Sequence, residues 1–343
     1  MRDSKIIDVA QKAQVSSATV SRVLNDSPQV TEKTRQKVLQ AIRELNYTPN
    51  AMGKQLRSRK TMTLGIVVTD IRVSYNTEII KGIEHSANRL GYKILICDAQ
   101  NQKDKELEYL ALLQTRTVDG MILVAPQLTD SEITALADAD YSLGVIGRRV
   151  EHADIPCAFT DNRKIGRTVV RHLVEMGHRE IAYLSGYPDA PDSVERLEGY
   201  REGLAEAGLP YLPQLNGSGD FCEEGGYEAF KCLRAANSGF TAIFTANDEM
   251  ALGVYKACRE LGLPIPNAMA VVGVDNIRLT QYVEPQISSV EQPLYALGEL
   301  LADLLIDRMN GNVRSGGQRL IELNSTLVVK GSSNGRTEGL YTG

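Results

Sequence analysis

The sequence predicts two fold classes in one chain: an all-α helix–turn–helix head, then a much larger α/β body built on parallel sheets. Three observations carry that prediction. The first is charge. Residues 1–60 hold twelve Lys and Arg against five Asp and Glu, a net of +7, whereas the 343-residue chain is −5 and residues 61–343 are therefore −12. The second is the helical spacing of apolar residues through the first 45 positions. The third is an alternation of short β-rich apolar runs with amphipathic helices from residue 61 onward. A small cationic head on an anionic body points to a polyanion-binding module joined to something that does not bind one.

The length suits a head plus two domains of about 130–150 residues. With 43% apolar and 24% charged residues, every large segment can bury a core. Five cysteines (Cys97, Cys157, Cys222, Cys232 and Cys258) are scattered without a C-x-x-C pair or a His at zinc spacing. They are expected as buried, reduced thiols of a cytosolic protein, with no metal site. No apolar run approaches the roughly 18 residues of a membrane span. The opening MRDSKIIDVA is too polar for a signal-peptide core, so a soluble intracellular protein with no membrane partner is expected.

In the head, Ile6, Val9, Ala10 and Ala13 share one helical face. Ser16 is placed as the N-cap of a second helix, Ser17 to Asn25, with Val15 and Val20 forming a hydrophobic staple. That helix buries Val20, Val23 and Leu24 and turns Ser17, Ala18, Ser21 and Arg22 outward. A third helix starts behind Thr31 and runs on Val38, Leu39, Ile42 and Leu45. Three short helices on so small a core suit insertion into a DNA groove: the second helix would enter the major groove, where Arg22 can donate two hydrogen bonds to a guanine. Taken singly, Ser17 and Ala18 equally fit an ordinary helix start and Arg22 a solvated charge.

After Pro49 the stretch Asn50-Ala51-Met52-Gly53-Lys54-Gln55-Leu56 is a short helical signal that should form fully only against a partner. The runs V-S-x-A-T-V-S-R-V-L-N at 15–25 and T-x-x-K-V-L-x-A-I-x-E-L-N-Y-x-P-N at 34–50, with Leu56 beyond, resemble the LacI family of bacterial transcription repressors without a gap. The resemblance implies that the second helix reads bases through Ser17, Ala18 and Arg22, flanked by Ser16, Thr19, Ser21 and Asn25. It also implies a hinge helix from Asn50, paired across a dimer in the minor groove. There Leu56 would wedge into the central base step, with Lys54, Arg57, Arg59 and Lys60 near phosphates.

In the body, expected strands are Leu64–Thr69, Ile94–Asp98, Met121–Val124, Leu143–Ile146, Ile181–Ser185, Ala242–Thr245 and Ala270–Val274. Helices are expected over Thr77–Leu90, Lys103–Thr115, Lys164–Met176, Arg196–Ala207, Glu223–Ala235 and Glu249–Leu261, with Gly91, Gly177, Gly208 and Gly262 closing four of them. This alternation means parallel sheets with right-handed crossovers. Ligands of such sheets sit beyond the strands' carboxyl ends, where Asp70, Arg72, Arg148, Asp161, Asn247 and Asp275 lie. Arg, Asp and Asn converging there suit a polyhydroxylated ligand, although each alone could be a helix cap.

F-T-A-N-D-E-M-A-L-G at 244–253, V-V-G-V-D-N at 271–276, S-S-V-E-Q-P at 288–293 and R-x-x-G-Y-R-E-G-L at 196–204 look like the same family's sensor signatures. They imply a periplasmic-binding-protein-like body of two Rossmann-like subdomains joined by three crossovers. By motif, Arg196, Asn247 and Asp275 fall on effector positions, with Asp161, Arg148 and Tyr75 added; Asp248 could equally be a cap for the helix that follows and is left out. The implied division is a head at 1–48, a hinge at 49–60, a body at 61–331 and a polar tail at 332–343. The subdomains would be roughly 61–161 with 291–320 and 162–290 with 321–331. The sequence departs from many members after the first body strand, where Tyr75 alone could stack on a ring, and at Val274, where an aromatic often stands. Arg72, Arg148 and Arg149 raise the option of an acidic sugar or sugar phosphate.

Two other readings compete. One is a catabolite-control regulator corepressed by a seryl-phosphorylated carrier protein, which Asp104–Leu107 and Asp275–Leu279 resemble. Against it, the late helix Leu297–Asp307 places Asp303 and Asp307 where cations would be needed. The other is a nucleotide-binding enzyme. No G-x-G-x-x-G follows the first strand, no P-loop occurs, and four histidines fall singly, so no enzyme and no cofactor are expected. The expected assembly is a homodimer on a pseudo-palindromic operator, with effector binding shifting a two-state equilibrium.

Overall fold

The computed structural model describes residues 5–24, 27–47, 60–312 and 319–334. The chain forms two compact units, Met1–Thr61 and Met62–Gly343. Asn25, the hinge residues Asn50, Lys54, Leu56, Arg57 and Arg59, and the tail beyond residue 334 lie outside the described residues.

The head holds α1 (Ile6–Ala13), α2 (Ser17–Leu24) and α3 (Glu32–Glu44). Its core is Val9, Ala10, Ala13, Val20, Val23, Val38 and Ala41, with Val15, Leu24, Leu39, Ile42 and Leu45 packed around it. Both expected caps form: Ser16 Oγ accepts from the Thr19 N–H at 3.1 Å, and Thr31 Oγ1 from the Thr34 N–H at 3.4 Å.

The body is two lobes with the same strand order. The first sheet runs β2 (Lys93–Asp98), β1 (Thr63–Val68), β3 (Gly120–Val124), β4 (Leu143–Ile146), β5 (Cys157–Phe159), β11 (Leu320–Glu322), all parallel. The second runs β7 (Asn216–Ser218), β6 (Ile181–Ser185), β8 (Ala242–Thr245), β9 (Ala270–Asp275), β10 (Ser288–Glu291), β12 (Thr326–Val328), with β12 antiparallel to β10. The chain crosses between lobes after β5, after β10 and after β11. The third crossing therefore follows Glu322, and the boundary expected at 320/321 falls inside a strand of the first lobe.

Helices α4 (Ser74–Arg89), α5 (Lys103–Gln114), α6 (Asp130–Asp138) and α11 (Leu294–Met309) pack on the first sheet. α7 (Asn162–Glu175), α8 (Pro191–Glu206), α9 (Glu223–Ala236) and α10 (Asp248–Glu260) pack on the second. Helix α4 meets α11 backbone to backbone: a Cβ on Gly82 would lie 2.0 Å from the Tyr295 carbonyl oxygen, and one on Gly298 2.2 Å from that of Ile79. The glycines expected to close helices do so with φ of +80 at Gly91, +90 at Gly177, +68 at Gly208 and +66 at Gly262. Of the cysteines, Cys97, Cys157 and Cys258 are buried, but Cys222 and Cys232 are exposed on α9 and its cap, against expectation; all five are free.

The second lobe is strapped by Ser332 and Ser333, both fully buried. Ser332 Oγ accepts from the Ser288 N–H at 2.8 Å, and Ser333 Oγ meets His172 Nε2 of α7 at 2.8 Å. Burial holds the His172 imidazole below its ordinary range, against a smaller opposing pull from Glu175. The unfolded chain thus takes up the proton at a higher pH than the folded one. The contribution of neutral His172 is full above about 6.5 and is lost as pH falls from there through the depressed folded value. Relative to His172→Gln, the wild type should lose additional stability between about pH 7 and 5, read as the difference between two urea-unfolding series.

Candidate functional site

On α2, Ser17, Ala18 and Arg22 are exposed on one face, together with the capping Ser16, and Thr19 is half-buried beside them. Ser21 does not join that face: it is buried, and the expectation that it points outward is corrected. The helical period places it one position from Arg22 but toward the core side occupied by Val20 and Val23.

In the body, both sheets end at one cleft between the lobes. A strand order of 2-1-3-4-5 reverses direction between its first and third strands, and the crevice opens at that point. The two reversal points, β1/β3 and β6/β8, supply Asp70, Ala125, Tyr187 and Asn247 to a common cavity. Tyr75, Asn101 and Gln127 add to the wall from the first lobe, and Asp192, Arg196, Phe221 and Asp275 from the second.

Four expected effector residues, Tyr75, Arg196, Asn247 and Asp275, are brought together here. Helix α8 begins at Pro191, a residue suited to a first turn, which sets Asp192 and Arg196 one turn apart on the same face. Arg196 is 3% exposed. Its Nε donates to Asn162 Oδ1 at 2.9 Å, its Nη1 to the Ala246 carbonyl at 2.6 Å, and its Nη2 lies 3.6 Å from Asp192. Asn247 caps α10, accepting from the Met250 N–H at 3.0 Å. Its Nδ2 donates to the Phe221 carbonyl at 3.0 Å and to Glu249 at 3.1 Å. Glu249 in turn accepts from the Ser74 N–H of the other lobe at 2.9 Å, tying the cleft walls together. Burial pushes the Asp275 carboxyl up to about 7, against the opposing charge of Arg196.

The other two expected residues stand elsewhere. Asp161 is the N-cap of α7, accepting from the Lys164 N–H at 2.8 Å, and does not line the cavity. Arg148 donates to Asp130 and to the Leu128 carbonyl. From α5, buried Glu106 reaches the same loop and accepts from the Gln127 N–H at 3.0 Å and the Leu128 N–H at 3.2 Å. These two side chains grip the turn that presents Gln127. Asp248, left open between ligand and cap, does neither here: its Oδ2 accepts from the Ile277 N–H at 2.9 Å and Ser289 Oγ at 3.0 Å, joining α10 to the loop after β9.

Sequence reasoning missed Asp192, Tyr187, Phe221, Asn101 and Gln127. Tyr187 and Phe221, with ring centroids 5.8 Å apart, add from the second lobe to the aromatic surface that Tyr75 alone supplies from the first. Both follow strand ends, the one signal that could have found them. The basic option also changes. Arg72 is outside the cavity and paired to Asp70, with Nη2–Oδ2 at 2.6 Å, Arg149 pairs with Glu151, and Arg196 is the one cation lining the cavity among the described residues.

A sequence model for bacterial regulatory proteins of the lacI family matches residues 5–50, and one for a periplasmic binding protein-like domain matches residues 170–333. Catabolite control protein A of Priestia megaterium is 37% identical over 307 residues, 89% of this chain and 92% of that protein. The chain belongs to the LacI family. The transcriptional repressor CytR of Escherichia coli (strain K12) is 34% identical across 95% of both chains. Among solved structures, the lac repressor dimer bound to operator and the anti-inducer ONPF is similar at 26% identity, with a TM-score of 0.88 over 97% of this chain and 99% of that one. A transcriptional regulator CelR–cellobiose complex is similar at 31% identity and 0.73 over 96% and 99%. As a LacI-family repressor, the chain binds operator DNA through the head and a small-molecule effector in the body, and acts as a dimer.

Proposed function

We propose that the effector is a neutral polyhydroxylated molecule with a flat apolar face, bound in the cleft by Arg196, Asn247 and Asp275 and stacked on the Tyr187–Phe221 side. The charge of the cavity carries this reading. Three carboxylates (Asp70, Asp192 and Asp275) line it against Arg196, whose guanidinium is already engaged with protein oxygens. A phosphate or sugar acid would be desolvated beside these carboxylates at a Coulombic cost, whereas hydroxyls find both donors and acceptors. The solved CelR complex with cellobiose is a relative holding a neutral sugar. A thermal-shift panel of neutral sugars, nucleosides, sugar acids and sugar phosphates tests it. A ligand at 100 times its Kd stabilises by about 2.7 kcal/mol, and stabilisation confined to the anionic compounds would overturn the proposal.

The effector works by preferring one of two lobe arrangements, and operator affinity follows. The head at 1–48 reads bases through Ser17, Ala18 and Arg22, and the hinge at 49–60 sets Leu56 into the central step, in the cytoplasm where the operator lies. Leu56→Ala should therefore weaken operator binding about tenfold or more while leaving nonspecific binding nearly unchanged, because the kink is lost but the phosphate contacts stay. Equal losses on operator and random duplex would reject the wedge. Docking of a seryl-phosphorylated carrier is not favoured on α11, where Asp303 already accepts from Arg89 and Ser86 and leaves that cation committed.

A further inference from the structure

We infer that Gln292 is a positioning residue for effector recognition: from the second crossover it fixes the Asp275 carboxylate and ties it to Thr160 of the first crossover. Gln292 is 6% exposed and Thr160 4%. Gln292 Nε2 donates to Asp275 Oδ1 at 2.7 Å, and its Oε1 accepts from Thr160 Oγ1. The Asp275 carboxylate only accepts, so it sets the amide with Nε2 toward Asp275 and leaves Oε1 to accept from the Thr160 hydroxyl.

The placement gives that bond its role. Thr160 lies between β5 of one lobe and α7 of the other, and Gln292 between β10 and α11, so rotation of the lobes passes through both segments. Asp275 itself sits at φ +102 and Asn276 at φ +53, conformations that L side chains rarely adopt. Such a backbone persists where its surroundings over-determine it. Gln292 holds the carboxylate, the Asn276 N–H donates to Ser289 Oγ at 2.9 Å, and Lys330 Nζ donates to Asn276 Oδ1 at 2.7 Å. The other charged or titratable groups facing Asp275 are Arg196, Glu249, Asp192, Asp248 and Tyr75, none of them on a crossover. An effector hydroxyl that draws on the Asp275 carboxylate thus competes with, or reinforces, a bond whose far end is the first crossover. By linkage the crossover geometry acts equally on effector affinity.

The test needs no effector. In the full chain carrying ¹³C-carboxyl aspartate, with the Asp275 signal assigned by Asp275→Asn, the titration midpoint of Asp275 is compared between wild type, Gln292→Leu, Thr160→Val and Thr160→Ser. Removing the amide donor moves the midpoint upward by roughly one to two pH units, the size one hydrogen bond to a carboxylate carries. Thr160→Val moves it in the same direction by less, because Gln292 loses its anchor, and Thr160→Ser restores the wild-type value. Thermal melts verify that each variant is folded, and the isosteric Thr160→Val carries the test should Gln292→Leu fail to fold. A wild-type midpoint in Gln292→Leu would overturn the positioning of Asp275, and one in Thr160→Val would overturn the link between the crossovers.

Discussion

Arg196→Met should yield a repressor that occupies its operator but no longer answers its effector. The guanidinium holds three parts of the second lobe at once: Asn162 at the start of α7, the Ala246 carbonyl after β8, and Asp192 one turn earlier on α8. Removing one partner of a buried charged network leaves the others unsatisfied, a loss of about 3–5 kcal/mol. The loss falls toward the lower end because Asp275, pushed up to about 7 by burial, can shed its charge by taking a proton. The effector loses its one cationic donor in the cavity, so binding should fall by more than about a hundredfold, two charged hydrogen bonds being worth at least that. Arg196→Lys should recover stability in part but not the response, since an ammonium cannot reach Asn162 and Ala246 together in the same plane. Operator release titrated with the effector found in the panel, alongside urea unfolding, measures both; wild-type release by Arg196→Met would remove Arg196 from the site.

Arg22→Ala is the second large effect and is confined to the head. Arg22 is exposed on the face of α2 shared with Ser17 and Ala18, and no core contact is lost with it. Its loss should cost about 1–3 kcal/mol on the operator, roughly five- to 150-fold, and relax preference at one base pair. Binding measured on single-base operator variants separates this from a phosphate role, which would lower affinity evenly across all of them.

What the sequence made legible follows physical signal strength. Helices with a wide apolar stripe were placed within a few residues, as with α7, expected over Lys164–Met176 and observed over Asn162–Glu175. Helix α6, with Ile133 as its one buried residue, gave no stripe and went unseen. Strands β5, β7, β11 and β12 are three residues each, too short to show a period, and β10 reads Ser-Ser-Val-Glu, whose serines are buried through hydrogen bonds of Ser288 to Ser332 and of Ser289 to Asp248. In the cleft, residues on motifs at strand ends were found, while Tyr187 and Phe221 lie in loops without a motif of their own and Asp192 in the first turn of α8, ahead of the motif that begins at Arg196. Arg148 and Asp161 sit beside strand ends, where a ligand role and a structural one look alike in sequence; in the fold Arg148 bonds the Leu128 carbonyl and Asp161 caps α7.

The threaded order of the lobes bears on how the protein is made. The head draws its whole core from residues 9–47, so it can fold as soon as it leaves the ribosome. Neither lobe has that freedom. The first waits for β11 at Leu320–Glu322 and the second for β12 and the Ser332–Ser333 strap, so both sheets remain open along one edge until residues 320–333 have been synthesised. During translation a DNA-reading head therefore precedes its sensor by nearly three hundred residues. A chain stopped before residue 320 would carry the capacity to sit on DNA without either finished lobe to release it.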